Sequence, residues 1–225
     1  MSIVIHGSTL SPFTRKVTLV ALEKNIPFQS QDLNPYSPPS NFETMSPLRQ
    51  IPVLQDGDYT LNDSSAISAY LDAAYSGVHK ALLPEAPKAR GYVLWIEEYA
   101  DTALFQCISE GVFRPIFITQ FFGKPIDMAT VQDTIANRLP VPLGYLETQI
   151  IGKNFFAEER LTLADIAVYA QLANLEHAQH LPETSVYPNL MAHFGRMKSR
   201  GPIAKLFTLE AQYLNGMLTQ LKKSV

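Results

Sequence analysis

Ser11-Pro12-Phe13-Thr14-Arg15-Lys16 follows closely on a short apolar run, Ile3-Val4-Ile5, and places a hydroxyl where a helix begins. Serine is a favoured N-cap, proline suits the first helical position, and Phe13, Val17, Val20 and Ala21 recur at helical spacing. A helix N-terminus carries unpaired N–H groups and the positive end of a dipole, so it stabilises an anion, a thiolate included. Ser11 is therefore either a plain cap or a group that steadies a bound anion. Ser8 and Thr9 lie in the same loop, but neither caps the helix. A second candidate pair is Asp63-Ser64, which opens a run with Ala66, Ile67, Tyr70, Leu71 and Ala74 on one helical face.

Other reactive side chains point away from chemistry. Cys107 is the single cysteine, which excludes an internal disulfide framework and any multi-cysteine metal site. It reads as a small apolar filler in a helix. Of His6, His79, His177, His180 and His193, only His177-x-x-His180 forms a close pair, and no acid or cysteine stands at ligand spacing beside it. No metal is expected.

The elements that position these residues change character along the chain. Ile3–Ile5, a helix from Pro12 to Lys24, and Phe28–Gln31 form a βαβ unit. Pro35, Pro38, Pro39, Pro47 and Pro52 leave room only for a short helix around residues 41–44. Two apolar runs, from Pro52 and from Tyr59, flank Asp56-Gly57 and read as a hairpin leading into the Asp63-Ser64 helix. Gly77 to Pro87 suits a linker. Beyond it lie a helix from Lys88 to about Phe121, another from Met128 to about Ile151 bent at Pro140 and Pro142, and a capped helix at Thr162-Leu163-Ala164-Asp165. That capped helix is apolar nearly all round and so reads as central. Tyr187-Pro188 and Gly201-Pro202 open two more. The expected division is 1–79 as an α/β domain, 80–88 as linker and 89–225 as an all-helical domain.

With 225 residues, 46% hydrophobic, the chain can bury a sizeable core. A net charge of −3 with 17% charged residues offers no basic field for nucleic acid or an anionic membrane. The first strand begins almost at Met1 and no apolar run approaches membrane-spanning length, so a cytoplasmic protein is expected.

Four separated segments resemble the cytosolic glutathione S-transferase family. Ser11-Pro12-Phe13 with Arg15 and Val17 is similar to its serine-type active-site segment, nearest the tau-like and phi-like members. Gln50-Ile51-Pro52-Val53-Leu54 is similar to its cis-proline segment, Asp63-Ser64-Ser65-Ala66-Ile67 to the acid–serine pair of its third helix, and Leu163-Ala164-Asp165 to its central helix cap. The resemblance implies a thioredoxin-like N-terminal domain, an all-helical C-terminal domain and a homodimer.

It also implies roles. Ser11 donates a hydrogen bond to the sulfur of glutathione, because an alkyl alkoxide is too basic to act as a base. Phe13 lies beside it, and Ile51, before a cis Pro52, pairs with the cysteinyl backbone. Ser64 binds the γ-glutamyl carboxylate, Asp63 faces the ammonium, and Gln50 reaches the glycyl end. A site between the domains, lined by Phe13, Tyr99, Phe105, Phe113 and Phe117, takes a small hydrophobic electrophile. The chain departs from phi-like members at Ser37-Pro38-Pro39-Ser40, where they carry a His-Lys pair; Arg49 is a candidate replacement for that pair. The implied activity is glutathione transfer. Isomerisation, dehalogenation or peroxide reduction on the same fold, and a non-catalytic interaction protein, stay open as alternatives.

Overall fold

The computed structural model describes residues 3–75 and 81–223. Gly77 and His79, and with them the expected boundary at 79/80, lie outside the described residues. Two compact units divide the chain, Met1–Glu85 and Ala86–Val225.

The first unit runs β1 (Ile3–Gly7), α1 (Pro12–Glu23), β2 (Phe28–Asp32), α2 (Phe42–Met45), β3 (Val53–Asp56), β4 (Tyr59–Asn62) and α3 (Ser64–Ala74). Its sheet has the order β2-β1-β3-β4, with β2 parallel to β1 and the other two pairings antiparallel. This is the βαβ–ββα order read from the sequence. Ile3, Ile5 and Leu54 are buried, as are Val17 and Val20 of α1 and Ile67 and Leu71 of α3. The hairpin turns on Gly57 and Asp58, with Gly57 at φ 64°, the left-handed backbone that a two-residue turn requires. β2 keeps strand pairing although Gln29 to Asp32 are polar and exposed, because it is an edge strand held through β1.

Charged groups in this unit are buried where a partner is built for them. Lys24 donates to Asp72 Oδ1 at 2.8 Å, and the backbone N–H groups of Leu82 and Leu83 donate to Oδ1 and Oδ2 of the same carboxylate at 2.8 and 2.9 Å. Leu82 and Leu83, expected in a linker, are therefore buried and tied back to α3. At the hairpin end, Asp56 Oδ2 accepts the hydroxyls of Tyr70 and Tyr75 at 2.8 and 2.9 Å. The hydrogen bond to Asp56 pushes the Tyr70 phenol up to about 12.

The second unit has no strand among its described residues. α4 (Pro87–Tyr99) continues into wider, π-type turns over Ala100–Leu104 and Gln106–Ile118 before α5 (Thr119–Phe121). The expected helix from Lys88 to Phe121 is thus present with much of its length unwound. Pro115 lies inside it and lacks the N–H for a regular ladder. α6 (Met128–Asp133) passes through a further π-type stretch, Thr134–Arg138, into α7 (Pro140–Ile150). The bend expected at Pro140 is a helix restart there, with proline at the first position.

α8 (Leu163–His177) is buried from Leu163 to Leu175, as its all-round apolar pattern predicts. Asp165 caps it: the N–H and hydroxyl of Thr162 both donate to Oδ2 at 2.8 Å, and Phe156 N–H donates to Oδ1 at 2.9 Å. His193 of α9 (Pro188–Lys198) joins the same carboxylate at 2.9 Å, and α10 (Gly201–Lys223) follows. The acid missing from the sequence reading of His177 is Glu210 of α10, 3.0 Å away.

Glu147 of α7 caps α9 from outside, accepting Asn189 N–H at 3.0 Å and Leu190 N–H at 2.7 Å. Burial pushes this carboxyl up, but the Asn189 amide and the two backbone N–H groups outweigh that and hold it below the ordinary glutamate value. The stabilisation is therefore present above the unfolded value of about 4.3 and is lost as pH falls through the folded value. Glu147→Gln should cost about 1 kcal/mol at pH 7, and its difference from wild type should shrink in urea melts below about pH 4.3. Asp72→Ala strands a buried Lys24 and two backbone donors and should cost about 3–5 kcal/mol, read as a lower urea midpoint at unchanged slope.

Candidate active site

Strand register brings the candidate segments together. His6 pairs with Val53, and Val53 pairs with Asn62. The end of β1, the start of β3 and the end of β4 thus lie at one edge of the sheet. Directly beyond those strand ends come Ser8–Ser11, Ile51-Pro52 and Asp63-Ser64. Leu33 joins them from the end of β2, donating its N–H to Gly7 O at 3.3 Å.

Ser11 is the N-cap of α1, in extended backbone at φ −72°, ψ 125°, with Pro12 in the first turn. Its N–H donates to Ser8 O at 3.0 Å, and its Oγ accepts Thr14 N–H at 3.4 Å. With its oxygen accepting along the helix, the hydroxyl proton is left to donate outward. No acidic residue sits in the first turn of α1. The positive helix end is therefore shielded only by a neutral cap. Gly7 sets the approach of this turn to the sheet, since a Cβ there would sit 2.3 Å from Thr14 Oγ1. Phe13, next to Ser11, is half-buried.

The Ile51–Pro52 bond is cis. Ile51, like Met45, packs against the buried cluster of Leu33, Phe42 and Val53, and Val53 opens the ladder, so residue 51 stands just outside it. The preceding loop is closed by Ser46, whose Oγ donates to Gln50 O at 2.8 Å and accepts Gln50 N–H at 3.0 Å. Asn62 at the end of β4 donates to Met45 O at 2.8 Å and ties that loop to the hairpin. Gln50 itself is exposed. Arg49 adopts left-handed backbone at φ 55°, is exposed, and pairs with Glu43 of α2 at 3.0 Å.

Asp63 is the N-cap of α3, its Oδ1 accepting from Ser65 N–H at 3.0 Å and Ala66 N–H at 2.9 Å. Its backbone, at φ 73° and ψ 127°, lies outside even the left-handed helical well. A non-glycine residue held there costs about 1–3 kcal/mol, which the two cap bonds offset. Ser64, the first residue of α3, is buried beside it.

The remaining predicted residues, Tyr99, Phe105, Phe113 and Phe117, lie in the helical unit. Phe113 and Phe117 are buried with ring centroids 4.8 Å apart. Tyr99 packs against Tyr145 at 4.5 Å and Trp95 at 5.7 Å. Phe105 lies under the Arg114 guanidinium at 5.6 Å. Cys107 is buried, and burial pushes its thiol up more than Arg138 lowers it, which leaves it a poor nucleophile. Among the described residues no group of three or more His, Cys, Asp or Glu could hold a metal ion, and no helix is long and apolar enough to cross a membrane.

Sequence reasoning missed Gly7, Ser46, Asn62 and Lys16. Only the four-residue spacing of Ser46 and Gln50 in a proline-bounded loop carried a signal; the other three act through contacts distant in sequence. Lys16 is fully buried and donates to Ser65 Oγ at 3.1 Å. Asp63→Ala should destabilise the unit by about 2 kcal/mol because the cap goes and the strain stays. Asp63→Gly relieves the strain and should recover about 1 kcal/mol of that loss. Urea unfolding that ranks alanine above glycine would overturn the strain account.

Comparison with known proteins places these segments in context. Residues 5–79 match the glutathione S-transferase N-terminal domain, and residues 111–208 match the C-terminal domain. Among curated relatives, glutathione S-transferase theta-1 of Homo sapiens is 30% identical over 176 residues, covering 76% of this chain and 72% of its own. Glutathione S-transferase F14 of Arabidopsis thaliana is 30% identical over 164 residues, covering 70% of this chain, and the match spans 62% of that relative's length. A glutathione S-transferase from Rhodospirillum rubrum superposes with a TM-score of 0.82 at 24% identity, over 91% of each chain. A glutathione transferase homolog from Drosophila mojavensis, solved with bound glutathione, gives 0.80 at 21% identity over 97% of each. At these identities the two structures speak for the fold.

Proposed function

The chain belongs to the glutathione S-transferase family, and on that premise we propose that it binds glutathione at the edge where β1, β3 and β4 end and presents the thiolate to a small hydrophobic electrophile. One observation carries the reading: three chain segments with complementary chemistry meet there through strand pairing. Ser11 offers a hydroxyl donor at a helix N-terminus, Ile51 offers backbone just outside the ladder, and Asp63-Ser64 offers a carboxylate beside a helix start.

Glutathione has an ammonium and carboxylate at one end, a thiol in the middle and a carboxylate at the other end. In this reading Ser64 takes the γ-glutamyl carboxylate through its hydroxyl and N–H, and Asp63 takes the ammonium. Ile51 pairs with the cysteinyl amide. Gln50 reaches the glycyl end, and Arg49 exchanges its exposed pairing with Glu43, worth about 0–1 kcal/mol, for the glycyl carboxylate. Phe13, Tyr99, Phe105, Phe113 and Phe117 remain the proposed contacts of the electrophile. Family membership also supports a homodimer.

The chemistry at sulfur needs no base from the protein. A free thiol has a pKa near ~8.5, so only a small fraction is thiolate at neutral pH. A charge-assisted hydrogen bond from Ser11, worth about 1.5–3 kcal/mol, lowers that by about one to two units, and the α1 terminus adds to it. The thiolate then attacks an electrophilic carbon, and the leaving group departs with the displaced electron pair. Tyr70 and Tyr75 are poorer donors to this anion, since both hydroxyls are committed to Asp56.

Ser11→Ala should lower kcat/KM with a hydrophobic electrophile about 10- to 100-fold. It should also move the apparent pKa of the pH–rate profile upward by about one to two units, toward the free thiol. Unchanged activity and pH profile would remove Ser11 from this role. A wild-type protein that does not bind glutathione in calorimetry would overturn the reading as a whole.

A further inference from the structure

The N-terminus of α3 poses an electrostatic difficulty for the ligand just assigned to it. Asp63 caps this helix, so a negative charge already occupies the helix end at which Ser64 is to receive a carboxylate. A second anion there is opposed by the first, and the dipole of α3 is partly spent on its own cap. The ammonium of glutathione offsets Asp63 only once the ligand is bound.

A cation is built into the opposite side of the same turn. Lys16 lies on α1, one turn beyond the Ser11 cap, and is fully buried. Its ammonium donates to Ser65 Oγ at 3.1 Å. Ser65 immediately follows Ser64, and its own N–H donates to Asp63 Oδ1 at 3.0 Å. The chain of contacts therefore runs from α1 through Ser65 to the Asp63 carboxylate, and Ser64 is the residue between those two in the sequence. Burying an ammonium is costly, and it is tolerated where it meets polar partners and negative charge. In this poorly solvated position its field is screened far less than that of a surface lysine.

We propose that Lys16 is a positioning residue for glutathione: it ties the sulfur-binding turn of α1 to the carboxylate-binding turn of α3 and supplies the positive charge that lets the α3 terminus hold the γ-glutamyl carboxylate beside Asp63. The inference rests on the glutathione reading above. It separates two contributions that a merely structural lysine would not separate, because the charge acts on one carboxylate of the ligand and leaves the rest of the tripeptide untouched.

The test is calorimetric binding of two thiols to the full-length protein: glutathione, and its analogue 4-aminobutyryl-cysteinyl-glycine, which lacks only the γ-glutamyl carboxylate. Lys16→Met should weaken glutathione about tenfold and the analogue less than twofold, and Lys16→Arg, which keeps the charge, should restore most of the loss. Equal weakening of both thiols, or weakening of neither, overturns the inference. If Lys16→Met does not fold, Ser65→Ala carries the same comparison: a selective loss for glutathione of about threefold supports the proposal, and an equal loss for both thiols overturns it. Wild type that binds both thiols equally overturns the role of Lys16 and leaves glutathione binding standing. Wild type that binds neither overturns the glutathione reading itself.

Discussion

The antiparallel register at the end of β1 is the constraint from which the site follows. His6 opposite Val53, and Val53 opposite Asn62, align one strand start with two strand ends. Ile51 and Asp63, 40 and 52 residues beyond Ser11 in the sequence, emerge at the same edge as a result. A slip of one residue would turn Ile5 and Leu54 from the core to the other face, so the hydrophobic effect itself fixes the register. The burial of Ile3, Ile5, Val53 and Leu54 thereby positions a hydroxyl, a backbone amide and a carboxylate that lie in no strand.

Helix termini supply the electrostatics of that edge. α3 is capped at this edge by Asp63; in the helical unit Asp127 is the N-cap of α6, Asp165 completes a capping box with Thr162 at α8, and Glu147 caps α9. α1 differs, with a neutral serine as cap and no acid in its first turn. Its positive end remains uncompensated by its own cap, which suits a site for an anion supplied from outside. At α3 the cap is charged, and the compensation comes from a buried lysine on the neighbouring helix.

Much of the architecture was legible because it rests on local physics. Proline at the start of α1, α4 and α9, Gly57 in the hairpin, and the Thr162/Asp165 box each declare a boundary through fixed φ, a left-handed residue or a side-chain cap. The all-round burial of α8 followed from a sequence with no polar face. The winding of the long helix after Tyr99 was not legible, since the choice between α and π turns depends on how Pro115 and Gly111 seat against neighbours. Gly111 leaves no room for a Cβ against Thr134, a contact that no spacing in the sequence announces.

For the site, the sequence by itself determined which groups are available: a serine cap, an Ile-Pro step and an acid–serine helix start, each recognisable because its chemistry is confined to adjacent residues. Tertiary structure alone decided that they share one edge, that Arg49 faces Glu43, that Leu82 and Leu83 return to Asp72, and that Lys16 is an interior cation. Nothing in the sequence singles Lys16 out as an interior cation, because lysine is rarely buried. Its hydrogen bond to Ser65 exists because strand pairing and helix packing close a separation of 49 residues to 3.1 Å.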